Sequence, residues 1–129
     1  MHQKKLEKLL IVDDDEDIIT VAKYSLVEEK DFSVRYLNSG MRAIQEAKVF
    51  HPDLILLDVM MPTMDGITTL KELRKFPELA NTPVIFFTAK IQKNELDNYK
   101  TLGIIGIIHK PFNPLTFPQT IRDLWNSKN

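Results

Sequence analysis

Five polar side chains stand at the ends of otherwise oily stretches of this chain. Asp13 and Asp14 follow Leu9-Leu10-Ile11-Val12, Asp58 follows Leu54-Ile55-Leu56-Leu57, Thr88 follows Val84-Ile85-Phe86-Phe87, and Lys110 follows residues 104–109. Any one of these acids can act as an ordinary helix or turn cap, but capping does not explain all five groups at once. Three carboxylates within a few ångströms repel one another, which raises their pKa values unless a cation sits among them. The set holds no His and no Cys, and an all-oxygen, highly charged site suits Mg²⁺, with Mn²⁺ as the alternative. Thr88 adds a neutral hydroxyl and Lys110 a fixed positive charge. A carboxylate, a hard cation, a hydroxyl and an ammonium are what the spread negative charge of a phosphoryl group needs. Asp58 is then the nucleophile of an aspartyl-phosphate.

A parallel sheet is the element that brings such residues together. Continuous apolar runs read as strands buried on both faces. The first run leads into Asp15-Glu16-Asp17, an acidic first helical turn that suits the helix dipole, and Ile18, Ala22 and Leu26 carry one apolar stripe through that helix. Residues 32–37, with Ser33 and Arg35, make a shorter and more polar strand, expected at an edge. Asn38-Ser39-Gly40 caps a second helix with Ala43, Ala47 and Phe50 inward, and His51-Pro52 ends it. Beyond Asp58, Pro62 stops the strand and Asp65-Gly66 opens a third helix, with Ile67, Leu70 and Leu73 inward and an end near Phe76-Pro77.

Residues 83–87 are the fourth strand. Residues 91–102 form a polar helix with only Leu96, Tyr99 and Leu102 to bury, so it is expected to be the least anchored, and Gly103 closes it. Residues 104–109 are the fifth strand. Asn113-Pro114 then starts the last helix, which presents Phe117, Ile121 and Leu124, although Pro118 makes that end irregular or moves it later. The alternation predicts an α/β fold: a (βα)5 doubly wound parallel sheet covered on both faces. Right-handed crossovers put all strand carboxyl ends, and so Asp13, Asp14, Asp58, Thr88 and Lys110, on one rim.

Composition narrows the setting. A length of 129 residues with 43% apolar and 27% charged side chains predicts one domain over residues 1–129, with residues 1–5 a frayed leader. The net charge of −1 gives no global field toward nucleic acid or a membrane surface. No apolar run approaches a membrane span, and residues 1–8 lack the apolar core of a signal peptide. The absence of cysteine excludes disulfides and fits a cytoplasmic location.

Taken together, the residues resemble the receiver domain of two-component response regulators from about Leu9 to Leu124. The matching pieces are Ile11-Val12-Asp13-Asp14, Asp58 with Met61-Pro62-Thr63-Met64-Asp65-Gly66, Thr88-Ala89, and Gly103-Ile104-Ile105-Gly106 leading to Lys110-Pro111-Phe112. Each piece is weak alone; in this order and spacing they are specific. The resemblance implies a flavodoxin-like sheet of order 2-1-3-4-5. It implies Asp58 as phosphoacceptor, and Asp13, Asp14, Asp58 and the backbone carbonyl of Met60 as Mg²⁺ ligands. Thr88 and Ala89 become the switch segment, Lys110 the phosphoryl-binding ammonium, and Lys110-Pro111 a cis peptide. The side chains of Met60 and Lys90 border the path of a hydrolytic water, and so bear on phosphoryl lifetime. One departure stands out: the position three before the lysine often holds an aromatic ring in this family, and here it is Ile107.

The implied function is a stand-alone, chemotaxis-regulator-like phosphorylation switch rather than an enzyme. A histidine kinase or phosphotransfer protein donates the phosphoryl group. An output protein reads the change at the face made by the 91–102 helix, the fifth strand and the last helix. The chain would act as a monomer or a phosphorylation-dependent dimer, with no direct role for nucleic acid or membrane. One alternative is an aspartyl-phosphate phosphatase of the haloacid-dehalogenase type. Such enzymes usually carry a second acid two residues after the nucleophile, where Met60 stands and cannot transfer a proton. Another is a receiver-like binding module that works without phosphorylation. Among lesser features, Asp15 and Asp17 read as helix-capping acids, and His109 points away from the face of Lys110. His2 and His51 read as solvated or helix-end residues, and Lys90, Lys93 and Lys100 as a solvated face. Trp125 reads equally as core or partner anchor.

Overall fold

The computed structural model describes residues 4–89, 95, 97 and 99–128. Strands β1 (Lys8–Val12), β2 (Ser33–Leu37), β3 (Leu54–Leu57), β4 (Val84–Thr88) and β5 (Ile104–His109) form one sheet in the order β2-β1-β3-β4-β5, and every pairing is parallel. The described residues also form helices α1 (Glu16–Leu26), α2 (Gly40–Phe50), α3 (Gly66–Leu73) and α4 (Phe117–Ser127), with 3-10 turns at Pro77–Leu79 before β4 and at Lys100–Leu102 before β5. This is the flavodoxin-like doubly wound arrangement. β3 and β4 are buried at every residue, as their unbroken apolar runs demand, whereas Ser33 and Arg35 of β2 are exposed at the sheet edge.

Alternation along the strands divides the interior in two. Leu10, Val12, Leu57 and Phe86 face Ala43 and Ala47 of α2 and Leu70 of α3. Leu9, Ile11, Leu56 and Phe87 face Ala22 and Leu26 of α1 and Phe117 and Ile121 of α4. Trp125 belongs to the second layer at 5% exposure, so its indole is core.

The structure revises several local expectations. The last helix begins at Phe117 rather than after Asn113-Pro114. Pro118 occupies its first turn, where a missing N–H leaves no helical bond unmade. The Asn113 side chain instead accepts from the Leu115 amide at 2.9 Å, and its carbonyl accepts from Thr116 at 3.1 Å, which closes a separate turn. α3 ends at Leu73, short of Phe76-Pro77. Half of the expected 91–102 helix, Leu96 included, lies outside the described residues. Its end is a 3-10 turn closed by Gly103 at φ 88°, and Tyr99 and Leu102 pack against the α2/α3 layer.

The start of β1 is pinned by a residue the sequence does not advertise. Asp53 is 7% exposed, and one of its oxygens accepts from the amides of Glu7 at 3.0 Å and Lys8 at 2.8 Å. The exposed Lys4 ammonium meets its other oxygen at 3.0 Å. Burial pushes this carboxyl up, but the two amides and Lys4 together hold it below the usual carboxylate value.

Candidate functional site

Main-chain bonds carry the ladders of β1, β3 and β5 one residue past the strand ends, and those residues are polar. The Asp13 amide donates to the Leu37 carbonyl at 3.0 Å, Asp58 to Val12 at 2.9 Å and Lys110 to Thr88 at 2.9 Å. The carboxylates are thereby fixed by the sheet rather than by a loose loop. Asp13 and Thr88 are 0% exposed and Asp58 2%, while Asp14 is exposed at the mouth.

The loop after Asp58 folds back tightly beneath it. The Gly66 amide donates to the Val59 carbonyl at 2.9 Å, and a Cβ at Gly66 would lie 2.1 Å from the Asp58 carbonyl oxygen. Only glycine permits that approach. Asp65 caps α3 by accepting from the Thr68 amide at 2.8 Å. On the other flank Asp15 caps α1, and its own amide donates to Asp13 Oδ1 at 2.9 Å. The acid read as a cap thus also orients the carboxylate two residues before it.

Lys110 closes the site from β5. Its ammonium is 2.5 Å from Asp13 Oδ2 and 3.3 Å from Asp58 Oδ1, and its side chain is 12% exposed. The Met60 amide also donates to Asp58 Oδ1, at 3.2 Å. Burial, and then the Asp13 charge, push the Asp58 carboxyl up to about 7, with Lys110 and the Met60 amide opposing. Burial lowers the Lys110 ammonium, but the two carboxylates outweigh it and leave its pKa raised.

Oxygens of Asp13, Asp14 and Asp58 lie within 4.8 Å of one another. Asp13 Oδ2 is buried and, beyond its ion pair with Lys110, has no hydrogen bond of good geometry among the described residues. A trio of oxygens with one under-served lone-pair site and an elevated Asp58 pKa fits a small hard cation. Such a charge would relieve the mutual repulsion.

Ala89 is exposed beside Thr88, and Met60 is 72% exposed at the rim. Lys90 lies outside the described residues. The Lys110-Pro111 bond is cis. Ile107 is half-buried opposite Phe86, whose ring meets Tyr99 edge-on with centroids 6.0 Å apart. His109 is exposed. One neighbour of the site was not foreseen: Phe87, whose ring centroid is 5.1 Å from the Lys110 ammonium. Its sole signal in the sequence is an aromatic immediately before Thr88.

A family profile for the response regulator receiver domain matches residues 9–122. The alkaline phosphatase synthesis transcriptional regulatory protein PhoP of Bacillus subtilis is 37% identical over 108 residues, 84% of this chain and 44% of that protein. The chain thus spans about half the length of several curated relatives it matches. The polar-differentiation response regulator DivK of Brucella ovis is 31% identical over 116 residues, 90% of this chain and 94% of that protein. The crystal structure of the Vibrio cholerae chemotaxis protein CheY4 superposes with a TM-score of 0.84 at 28% identity, covering 93% of this chain and 99% of the other.

Proposed function

The chain belongs to the response regulator receiver domain family, and we propose that it works as a phosphorylation switch with Asp58 as acceptor. A carboxylate oxygen of Asp58 attacks the phosphorus of a phosphohistidine on a kinase or phosphotransfer partner. The phosphorus–nitrogen bond breaks, and the imidazole leaves with the electron pair and takes up a proton. Lys110 reaches the transferred oxygens as a fixed charge, and the Thr88 hydroxyl supplies a neutral partner. Asp13, Asp14, Asp58 and the Met60 carbonyl are the groups that would hold Mg²⁺, or Mn²⁺ in its place. A cation held there would supply neutralisation of charge on the phosphoryl oxygens. The Asp15 amide fixes the Asp13 carboxylate by donating to its Oδ1.

The observation that carries this reading is the Lys110 ammonium lying between two buried carboxylates, at 2.5 Å and 3.3 Å, at the carboxyl edge of a parallel sheet. A phosphatase has less support, because the position for a proton-transferring acid holds Met60. The output partner would read the face formed by residues 91–102, β5 and α4, as a monomer or phosphorylation-dependent dimer. No helix among the described residues is long and apolar enough to cross a membrane, and a cytoplasmic setting accords with the absence of cysteine.

Intact-mass spectrometry after incubation with acetyl phosphate and Mg²⁺ tests the assignment. Wild type should gain one phosphoryl group and Asp58→Ala none. An equal gain in both would place the acceptor elsewhere.

A further inference from the structure

The ammonium at the centre of the site rests on an aromatic face. Phe87 is fully buried, and its ring centroid lies 5.1 Å from Lys110 Nζ. The strand register produces the contact: Phe87 pairs with Ile108, so Lys110, two residues on, stands diagonally on the same face of the sheet. The ring is itself held, with Phe112 at 5.3 Å and Phe117 at 5.8 Å, and those two rings 4.2 Å apart. A ring face attracts a cation through its quadrupole, and more so away from water.

Among the described residues, this ammonium also meets Asp13 Oδ2 and Asp58 Oδ1. Both carboxylates have competing duties under the phosphoacceptor reading, on which this inference rests. Asp13 is a ligand for the cation, and Asp58 loses its free negative charge when it becomes an acyl phosphate. Of these three groups among the described residues, only the ring remains unchanged throughout.

We propose that Phe87 is a positioning residue for Lys110: its ring face holds the ammonium at the rim while Asp13 is engaged by the metal and Asp58 by the phosphoryl group. Without the ring, Lys110 settles more firmly on Asp13, which weakens metal binding and leaves the ammonium further from the arriving oxygens.

The bland role for Phe87 is core packing, and a double-mutant cycle separates the two. Mg²⁺ affinity is measured by calorimetry for wild type, Phe87→Leu, Lys110→Ala and the double variant. The positioning role predicts that Phe87→Leu weakens Mg²⁺ by roughly three- to tenfold in the Lys110 background and leaves it unchanged in the Lys110→Ala background. Equal effects in the two backgrounds would overturn the proposal. Phe117→Leu, which removes a ring that touches Phe87 without being placed against Lys110, should lower stability while sparing Mg²⁺ affinity. Should Phe87→Leu fail to fold, trifluorophenylalanine introduced at position 87 keeps the ring's shape but drains its negative face. That variant should lower the maximal rate of phosphorylation by acetyl phosphate more than it changes KM, and an unchanged maximal rate would also overturn the proposal. A wild-type protein that takes no phosphoryl group at Asp58 would instead defeat the underlying reading of the site, so the two failures are distinct.

Discussion

The Lys110 ammonium lies at 2.5 Å from Asp13 Oδ2, nearer than its 3.3 Å approach to Asp58. The site lysine therefore occupies an oxygen that a metal would claim. Removing the lysine should relieve both the competition and the charge repulsion. Lys110→Ala is expected to bind Mg²⁺ more tightly, by about tenfold at most given screening, yet to be phosphorylated more slowly. Asp13→Asn should lose affinity and rate together. Calorimetric titration paired with acetyl phosphate kinetics checks both, and unchanged affinity in Asp13→Asn would refute the ligand assignment.

Asp58 gives the metal-free protein a pH-dependent stability of definite sign. Its carboxyl is raised by burial and by Asp13 to about 7 in the folded state, against about 3.9 when unfolded. The folded protein holds the extra proton between these values, so its stability should fall as pH rises from about 4 to about 7. The slope from this one group is at most about 1.4 kcal/mol per pH unit. Urea melts in EDTA across that window should show the decline, which Asp58→Asn should flatten. Saturating Mg²⁺ should also flatten it, since the cation favours the ionised form.

Asp53 should act in the opposite sense at acid pH. Its carboxyl is held below the usual value, so its contribution is present above about pH 4 and lost as pH falls through the lowered value. Asp53→Ala leaves the Glu7 and Lys8 amides without their buried acceptor, at a cost of about 1–3 kcal/mol. Thermal melts at neutral pH should show this loss, and the difference from wild type should narrow below pH 4.

Asp13, Asp58 and Lys110 were legible because each interrupts an apolar run, and a buried parallel strand followed by a charge has few other uses. Asp53 was not. An acid after His51-Pro52 looks like any loop acid, and its value depends on β1 starting beside it, a tertiary fact. Phe87 was read as core, correctly, but its second contact arises from the pairing of β4 with β5. The start of the last helix was ambiguous because Pro114 and Pro118 are each acceptable in a first turn. The segment around Asn113 decided it by satisfying its own amides.

Met60 bears on how long the phosphoryl group survives. Its side chain is 72% exposed at the rim, where a thioether, a weak acceptor, cannot orient an incoming water. Slow self-dephosphorylation is expected, and Met60→Asn together with Lys90→Glu should speed it. A tenfold gain needs only about 1.4 kcal/mol of barrier. Phosphate release from prephosphorylated protein, after removal of the donor, is the measurement; a double variant no faster than wild type would sink the idea.

The buried position of Trp125 decides what light can report about this protein. It is the one tryptophan of the chain. Its indole packs with Leu6 in the α1/α4 layer and shares a cavity wall with Lys4, Lys5 and Phe32, near the amino ends of β1 and β2. Asp58 lies past the carboxyl end of β3, at the opposite edge of the sheet. Intrinsic emission should therefore follow global unfolding cleanly and stay nearly silent when Mg²⁺ or a phosphoryl group arrives. Optical detection of the loaded state would require a second indole introduced near the rim, at an exposed position such as Ala89, with Trp125 kept as the internal standard for folding.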